Sequence, residues 1–381
     1  MRPAATLPAL VPSLVSALLL TGLFCCPARA SDIALPDQVS WTTNRTLNYE
    51  QAVVIGEALR EATGTELTVE PRDSDLARAE LLRSGAVDFA VTAVAGSLAA
   101  QEGVFDFAAK DWGPQKVRLV LASSGEPFNY AIAIAGDLGI DSYAGLKGKR
   151  VAWYSNYPVV NVNTEAYLAY GGLTWDDVQR VEIAGYFAEA LQAMAEGKVD
   201  AAFAFARADG TNPPQAGSRG LVWPRLDSSD AAAMARMEAV APYFVPHDAA
   251  DDAPHDGAHY PYAFLVAAAE TDADLVYNMA KALVVLFPRY QGEAFAIDGW
   301  HIDEQDLLWF VPYHEGAIAY FREHGVWTAA AQAHNDKLIA RQEALAAAWE
   351  ALKAEAPADW QGAWTERRRQ ALEAGGFQPL F

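Results

Sequence analysis

The chain of 381 residues has only two cysteines, Cys25 and Cys26, and both fall within its first thirty residues. That segment reads as a secretory leader. Arg2 gives a thin basic start, Leu14 to Phe24 is mostly apolar, and Ala28-Arg29-Ala30 is a small-x-small cleavage signal. Phe24 and Cys25 are bulkier than the residue that should precede a lipid-modified cysteine, so cleavage after Ala30 is expected instead. The mature chain then has no cysteine, which excludes disulfides, thiolate metal sites and cysteine nucleophiles. Long hydrophobic runs are missing too: no later stretch reaches the roughly 20 apolar residues of a membrane span. The expected location is the periplasm. Basic residues are scarce, with 28 Lys and Arg against 49 Asp and Glu and a formal charge of −21. Without Arg2 and Arg29, 26 basic residues remain and the charge is −23, a poor surface for nucleic acid or anionic lipid. The sequence also lacks a Gly-Lys-Ser/Thr phosphate loop and a Gly-x-Ser-x-Gly nucleophile elbow.

What is present is a repeated phrase. LLRSGAVDFAVT runs from Leu81 to Thr92, and AMAEGKVDAAFAF from Ala193 to Phe205. Gly85 and Gly197 stand 112 positions apart, as do Asp88 and Asp200. Each phrase closes a strand-helix-strand-helix-strand pattern. The first copy reads as strand 39–43, helix 49–62, strand 65–69, helix 75–83 and strand 87–92. Ala52, Ile55, Ala58 and Leu59 share one face of its first helix, and Asn48 is a candidate N-cap. The second copy reads as strand 150–154, helix 163–170, strand 178–183, helix 187–196 and strand 199–205. From the end of the first strand to the closing glycine there are 42 residues in one copy (Thr43 to Gly85) and 43 in the other (Tyr154 to Gly197). An internal repeat with apolar strands between amphipathic helices implies sheets covered on both faces. The glycine supplies the left-handed turn that ends the helix, and the aspartate is expected to brace the corner rather than to meet a ligand.

Lys116 to Ala122 and Tyr130 to Ala135 read as strands that carry the chain between two lobes, and Tyr262 to Ala269 as a return. A helix is expected over 272–287, stopped at Pro288. Residues 327–353 are rich in Ala, Leu, Glu and Gln, which favours a long helix. Ala356-Pro357 breaks it, and a last helix follows over 365–374. This tail reads as a helical appendage packed on a lobe, with a partner-binding element as the other reading.

The phrases LLRSGAVDFAVT, GLKGKRVAWYSN, MAEGKVDAAFAF and Leu275-Val276-Tyr277, in that order, resemble the TAXI family, the extracytoplasmic receptors of one class of TRAP transporters. Leu146-Lys147-Gly148-Lys149-Arg150-Val151 resembles the opening of the second lobe in type II periplasmic solute-binding proteins more widely. Ala99 to Phe105 with Trp112-Gly113-Pro114-Gln115 is similar to one subgroup of the TAXI family. The resemblance runs from about Val39 to Phe321. It implies an α/β fold of two lobes, the periplasmic binding protein type II fold, each lobe a mixed, mostly parallel sheet flanked by helices. To this the present chain adds its C-terminal helical extension. The expected division is a leader at 1–30, lobe 1 at 31–125 with 268–326, lobe 2 at 126–267, and the extension at 327–381. The resemblance also implies capture of a small solute, delivery to TRAP transporter membrane subunits, no catalysis and no cofactor. Two loops depart from the family. Thr42 to Tyr49 reads TTNRTLNY where the family has a glycine-rich loop and Thr-Tyr-Tyr-Pro, and Ser155-Asn156-Tyr157-Pro158 stands where Gly-Ser-Gly is usual. The family's known ligands, glutamate and 2-oxoglutarate, are therefore not carried over.

In open α/β sheets ligands bind beyond the carboxyl ends of the strands. The candidate ligand-binding residues are then Thr43, Asn44, Arg45, Asn48, Ser74 and Thr92 in lobe 1. In lobe 2 they are Tyr154, Ser155, Asn156, Asn161, Asn163, Phe205, Arg207 and Asp209. Amides and hydroxyls supply neutral donors and acceptors, and Arg45 and Arg207 could each clamp a carboxylate with two parallel hydrogen bonds. Trp41, Tyr154, Tyr157 and Phe205 could wall the cleft. The expected ligand is a small organic acid, held by hinge closure. Two readings compete. One is a binding protein for an ATP-driven (ABC) transporter or a sensor. The other, more distant, is a metal-dependent hydrolase built on His247, His255 and His259 among Asp248, Asp251, Asp252 and Asp256. Ala249, Ala250, Ala253 and Pro254 suit a solvated loop there, and no metal is expected.

Overall fold

A computed structural model describes residues 32–45, 47–124, 128–207, 217–247 and 256–381, and at 128, 206 and 207 the backbone alone. The expected leader and Asp209 lie outside the described residues.

The first copy of the repeat forms β1 (Gln38–Thr43), α1 (Leu47–Thr63), β2 (Glu66–Pro71), α2 (Asp75–Arg83) and β3 (Phe89–Thr92). Asn48, Gln51, Ala52, Ile55, Ala58 and Leu59 form the buried stripe of α1. Burying each of its larger side chains, Ile55 and Leu59, stabilises the lobe by about 1.5–3 kcal/mol. Helix α3 (Val94–Glu102) follows, buried on all sides, and then β4 (Val117–Ala122). The second copy forms β6 (Arg150–Tyr154), α4 (Pro158–Tyr170), β7 (Gln179–Ile183), α5 (Phe187–Ala195) and β8 (Ala201–Arg207), after β5 (Phe128–Ala135) has entered the lobe. Helix α4 starts five residues before the expected position because Pro158 sits in its first turn, where its missing N–H costs nothing.

Both corners of the repeat are built alike. Gly85 and Gly197 take φ of 70° and 73°. The Asp88 carboxylate accepts from Ser40 N at 2.8 Å and Ser40 Oγ at 2.7 Å, on β1. The Asp200 carboxylate accepts from Arg150 N at 3.1 Å, at the start of β6. Each aspartate thus ties the third strand of its copy to the first, as the sequence reading expects.

Lobe 2 is completed by β9 (Leu221–Val222), α6 (Ala231–Val240), β10 (Val245–His247) and β11 (Gly257–His259). The ends of the His/Asp stretch are therefore paired strands rather than loop, with Val245 opposite His259. Strand β12 (Phe264–Ala268) stands in the first sheet, antiparallel to β3 and β4. Residues 264–267, expected in lobe 2, belong to the sheet of lobe 1. The order is β2-β1-β3-β12-β4 in the first sheet and β10-β11-β5-β8-β6-β7 in the second, with β9 on β5. Within each copy of the repeat every pairing is parallel, and the antiparallel neighbours are the strands added around it. Two chain crossings join the lobes side by side, where Ser123 N donates to Ala263 O at 2.7 Å.

Helices α7 (Ala273–Val285), α8 (Phe287–Tyr290) and α9 (Glu315–His324) pack on lobe 1. The tail forms α10 (Ala329–Glu355) and α11 (Trp360–Ala374), capped by Thr328 Oγ1 at 3.0 Å from Ala331 N and by Asp359 at 3.0 Å from Gly362 N. Trp349 meets Trp360 and Trp364 edge to face at 4.9 and 4.7 Å, giving the pair its own small core. It is fastened to lobe 1 through Glu102, whose carboxylate is fully buried and accepts from Arg341 Nε at 2.7 Å, Arg341 Nη2 at 2.9 Å and Arg368 Nη1 at 3.2 Å. No helix among the described residues is long and apolar enough to cross a membrane.

Candidate functional site

The carboxyl ends of β1, β2 and β3 face those of β6 and β7, and a cleft of about 250 Å³ lies between them. Lobe 1 lines it with Asn44 and Arg45 after β1, Asp73, Ser74, Asp75 and Arg78 around the start of α2, Ala93 after β3, and Phe105 to Phe107 after α3. Lobe 2 lines it with Asn156 to Val160 and Asn163 at the start of α4, and with Tyr186 after β7. Tyr260 and Tyr262, on the crossing segment, close the hinge side. An outer space of about 680 Å³ shares several of these residues and adds Trp153, Tyr154, Ser155, Asn161 and Gln361 of the extension.

The floor on lobe 1 is an ionic cluster. Ser74 caps α2, its Oγ accepting from Ala77 N at 3.1 Å. Asp75 follows, and its carboxylate takes hydrogen bonds from an Arg78 Nη2 and from Thr92 Oγ1 at 3.2 Å. Gly96 makes room for it: a Cβ there would lie 2.6 Å from the Asp75 carboxyl carbon. Arg78 is 7% exposed, its Nη1 donates to Arg72 O at 2.8 Å, and its buried Nε has no partner. A guanidinium left with a free donor in a buried place retains capacity for another acceptor. At the mouth, Arg45 Nε meets Asp73 at 3.0 Å, with both side chains mostly in solvent.

The opposite wall is phenolic. Burial raises the pKa of Tyr157, Tyr186, Tyr260 and Tyr262, so all four stay neutral at any ordinary pH. Tyr157 and Tyr186 lie with ring centres 4.7 Å apart. The Tyr262 hydroxyl accepts from Asn44 Nδ2 at 2.7 Å, a contact that ties the first loop of lobe 1 to the hinge.

Of the residues expected at the site, Asn44, Arg45, Ser74, Asn156 and Asn163 line the inner cleft, and Tyr154, Ser155 and Asn161 the outer space. Several are already committed. Asn161 bonds Tyr154 O at 3.0 Å and accepts from Tyr154 N at 2.8 Å, bracing the loop backbone. Asn163 is held between Tyr243 OH at 2.6 Å and Tyr260 OH at 3.1 Å. Thr43 and Asn48 lie behind the wall: Thr43 Oγ1 bonds Asn44 O, and Asn48 sits inside α1 rather than at its cap. Thr92 is one layer down, under Asp75. Trp41 is 1% exposed in the core, and Phe205 packs among Tyr130 and Phe187. The side chain of Arg207 is outside the described atoms. Arg78, Asp75, Tyr186, Tyr260 and Phe105 were missed. Only Asp75 carried a signal, as the residue after the N-cap Ser74. Among the described residues no group of three His, Cys, Asp or Glu could hold a metal ion. His259 is buried beside His247, which lowers its pKa to about 4.

Residues 48–325 match the model of the NMT1-like family. The chain belongs to that family. The match ends before α10, so the extension of this NMT1-like chain lies outside the shared region. No curated protein matches the chain. Solved structures similar to it include the periplasmic aliphatic sulphonate binding protein SsuA from Escherichia coli, at 16% identity and a TM-score of 0.41 over 79% of each chain. PhnD1 from Prochlorococcus marinus (MIT 9301), in complex with methylphosphonate, has 11% identity and a TM-score of 0.44 over 65% of this chain and 84% of that one. XAC2383 from Xanthomonas citri, bound to chloride ion, has 13% identity and a TM-score of 0.45 over 79% and 99%.

Proposed function

We propose that this NMT1-like protein is an exported solute receptor that closes its two lobes on a small organic acid and delivers it to a membrane permease. One observation carries the reading. Loops at the carboxyl ends of five strands, from both copies of an internal repeat, converge on one cleft, and chain crossings link its two sides. A hinge at such crossings lets the lobes open and close, and burial between them supplies affinity without bond-making chemistry. The acid group is assigned to Arg78, in place of the expected Arg45, because Arg78 lines the floor of the cleft and is held there by Asp75 and Arg72 O, whereas Arg45 is mostly in solvent.

The test is calorimetry with a panel of carboxylates, together with mass spectrometry of small molecules released when the purified protein is denatured. Arg78→Gln is expected to weaken carboxylate binding by about 10- to 100-fold, the worth of a hydrogen bond to a charged group. Undiminished binding by that variant removes Arg78 from the site, and no binding of any organic acid overturns the reading.

The class of permease is a finer matter. The four sequence phrases resemble the TAXI type of TRAP receptor, but the family match is to the broader NMT1-like family and the ATP-driven alternative is the better supported. SsuA-like proteins named among the similar structures include an ABC transporter component from Methylobacillus flagellatus KT. Uptake by proteoliposomes distinguishes them: collapse of an ion gradient stops a TRAP system, and withdrawal of ATP stops an ABC system.

A further inference from the structure

The extension lies beyond the family match, yet it reaches the cleft. Helix α3 ends at Gly103, with φ of 62°, and two residues later Phe105 takes φ of 55°. A side chain other than glycine pays roughly 1–2 kcal/mol for that left-handed conformation, so the surroundings must hold it there. They do so through the extension. Trp364 Nε1 donates to Gly103 O at 2.6 Å and Trp360 Nε1 to Ala108 O at 2.9 Å. The Trp349 indole lies so close over Gly113 that a Cβ would come within 2.3 Å of it. Phe381 packs its ring against Phe105 at 5.5 Å, and Arg368 and Arg341 hold the carbonyls of Leu380 and Gln378 at 2.5 and 2.9 Å. Residues 103–113 are thus pinned at both ends and in the middle by one pair of helices.

That segment presents Phe105 and Asp106 to the cleft, with Phe107 beneath them and Tyr157 and Tyr186 among the residues of the other lobe. An apolar cavity of about 150 Å³ accommodates benzene. A cleft of about 250 Å³ therefore suits one ring with a short substituent. The charges argue for a single acid group. Arg45 and Arg78 already face Asp73 and Asp75, and Asp106 adds a further negative charge to the wall. A second carboxylate on the ligand would meet Asp73, Asp75 and Asp106 with no third cation among the described residues to answer it.

We propose that the C-terminal extension is part of the ligand site: it fixes residues 103–113 as a third wall, and the slot between Phe105 and the tyrosines of lobe 2 takes a monocarboxylate bearing one aromatic ring. This rests on the receptor reading above.

Phenylacetate, acetate and succinate serve as probes by calorimetry on the full mature chain. Wild-type protein is expected to bind phenylacetate at least tenfold more tightly than either of the others. Phe105→Ala is expected to lose about tenfold in phenylacetate affinity while its affinity for acetate stays the same. The double variant Trp360→Phe with Trp364→Phe keeps an aromatic ring at each position but removes the two indole hydrogen bonds. It is expected to speed amide hydrogen exchange at 103–113 and to weaken phenylacetate several-fold. Succinate binding as well as phenylacetate, or Phe105→Ala binding phenylacetate like wild type, overturns the ring slot. Unchanged exchange at 103–113 in the double variant overturns the role of the extension. If another carboxylate binds and phenylacetate does not, the slot proposal fails and the receptor reading stands. If no carboxylate binds and none is released on denaturation, both fail.

Discussion

In lobe 1 the corner after the second strand of the repeat reads Asp73-Ser74-Asp75, and in lobe 2 the matching corner reads Gly185-Tyr186-Phe187. The frameworks carrying these corners are nearly the same, down to the glycine and aspartate before the third strand. The chemistry they present is not. Among the described residues every charged one lining the inner cleft, Arg45, Asp73, Asp75, Arg78 and Asp106, comes from lobe 1, whereas lobe 2 contributes amides, tyrosines and an apolar helix start. A repeat conserves what the core needs, and the loop tips beyond it are free to diverge. The expected consequence is a division of labour: lobe 1 holds the charged head of a ligand and lobe 2 closes over its body.

Lobe 1 is also the one that carries a third layer, and its attachment is where the largest effect is expected. Glu102 is the acidic side chain that pairs with both Arg341 and Arg368, and all three are buried. Glu102→Gln takes that counter-charge from two guanidinium groups, and breaking a buried pair costs about 3–5 kcal/mol. Urea denaturation should show that loss. A change under about 1 kcal/mol would mean that water reaches the arginines.

The two corner aspartates sharpen the comparison at a smaller scale. Asp88 serves Ser40 alone among its side-chain partners. Asp200 accepts from Arg150 Nε at 3.0 Å and Nη2 at 2.6 Å besides the backbone, and from Arg219 Nη2 at 3.4 Å. Hydrogen bonding from Arg150, with Arg219 assisting, lowers its pKa to about 2. A carboxyl whose folded pKa is depressed stabilises the protein above the unfolded value of about 4. Its contribution falls away as the pH drops from about 4 through about 2. Asp200→Asn is expected to cost about 1.5–3 kcal/mol at neutral pH, against about 1 kcal/mol for Asp88→Asn. The Asp200 variant should also lose part of the acid-induced decline in stability. Equal costs for the two would mean that the arginines of lobe 2 add nothing beyond the shared backbone brace.

The lobes could be read from the sequence because their corners have a fixed grammar. A glycine that must go left-handed and an aspartate three residues later recur at one spacing, and periodicity fills in the helices between. The wall of the cleft obeys no such grammar. Arg78 sits a full turn inside α2, past the loop where strand-end reasoning stops. Tyr260 and Tyr262 follow β11, a short strand in a stretch whose composition reads as a solvated loop. Asn161 reads as a loop residue and Asn163 as the first residue of a helix because Pro158 looks like a loop proline, whereas it opens the helix. The bond from Trp364 to Gly103 spans 261 positions, and no local pattern foretells it.

The smallest effect is expected at the mouth, and it tests the division between the lobes most directly. Arg45 and Asp73 form an ion pair with side chains 59% and 67% exposed. Pairs in that setting contribute roughly 0–1 kcal/mol and are screened by salt. Arg45→Ala should therefore leave the unfolding midpoint nearly unchanged, and carboxylate affinity within about threefold of wild type, with the difference vanishing at high salt. A large loss of affinity in this variant, with Arg78→Gln unaffected, would move the charged head from the floor to the mouth, beside the outer space that Asp73 also lines. Ser155 and Asn156 of lobe 2 line that space together with Asp73 and Ser74. Lobe 2 would then share in holding the head, and the separation of charge from body across the cleft would be lost.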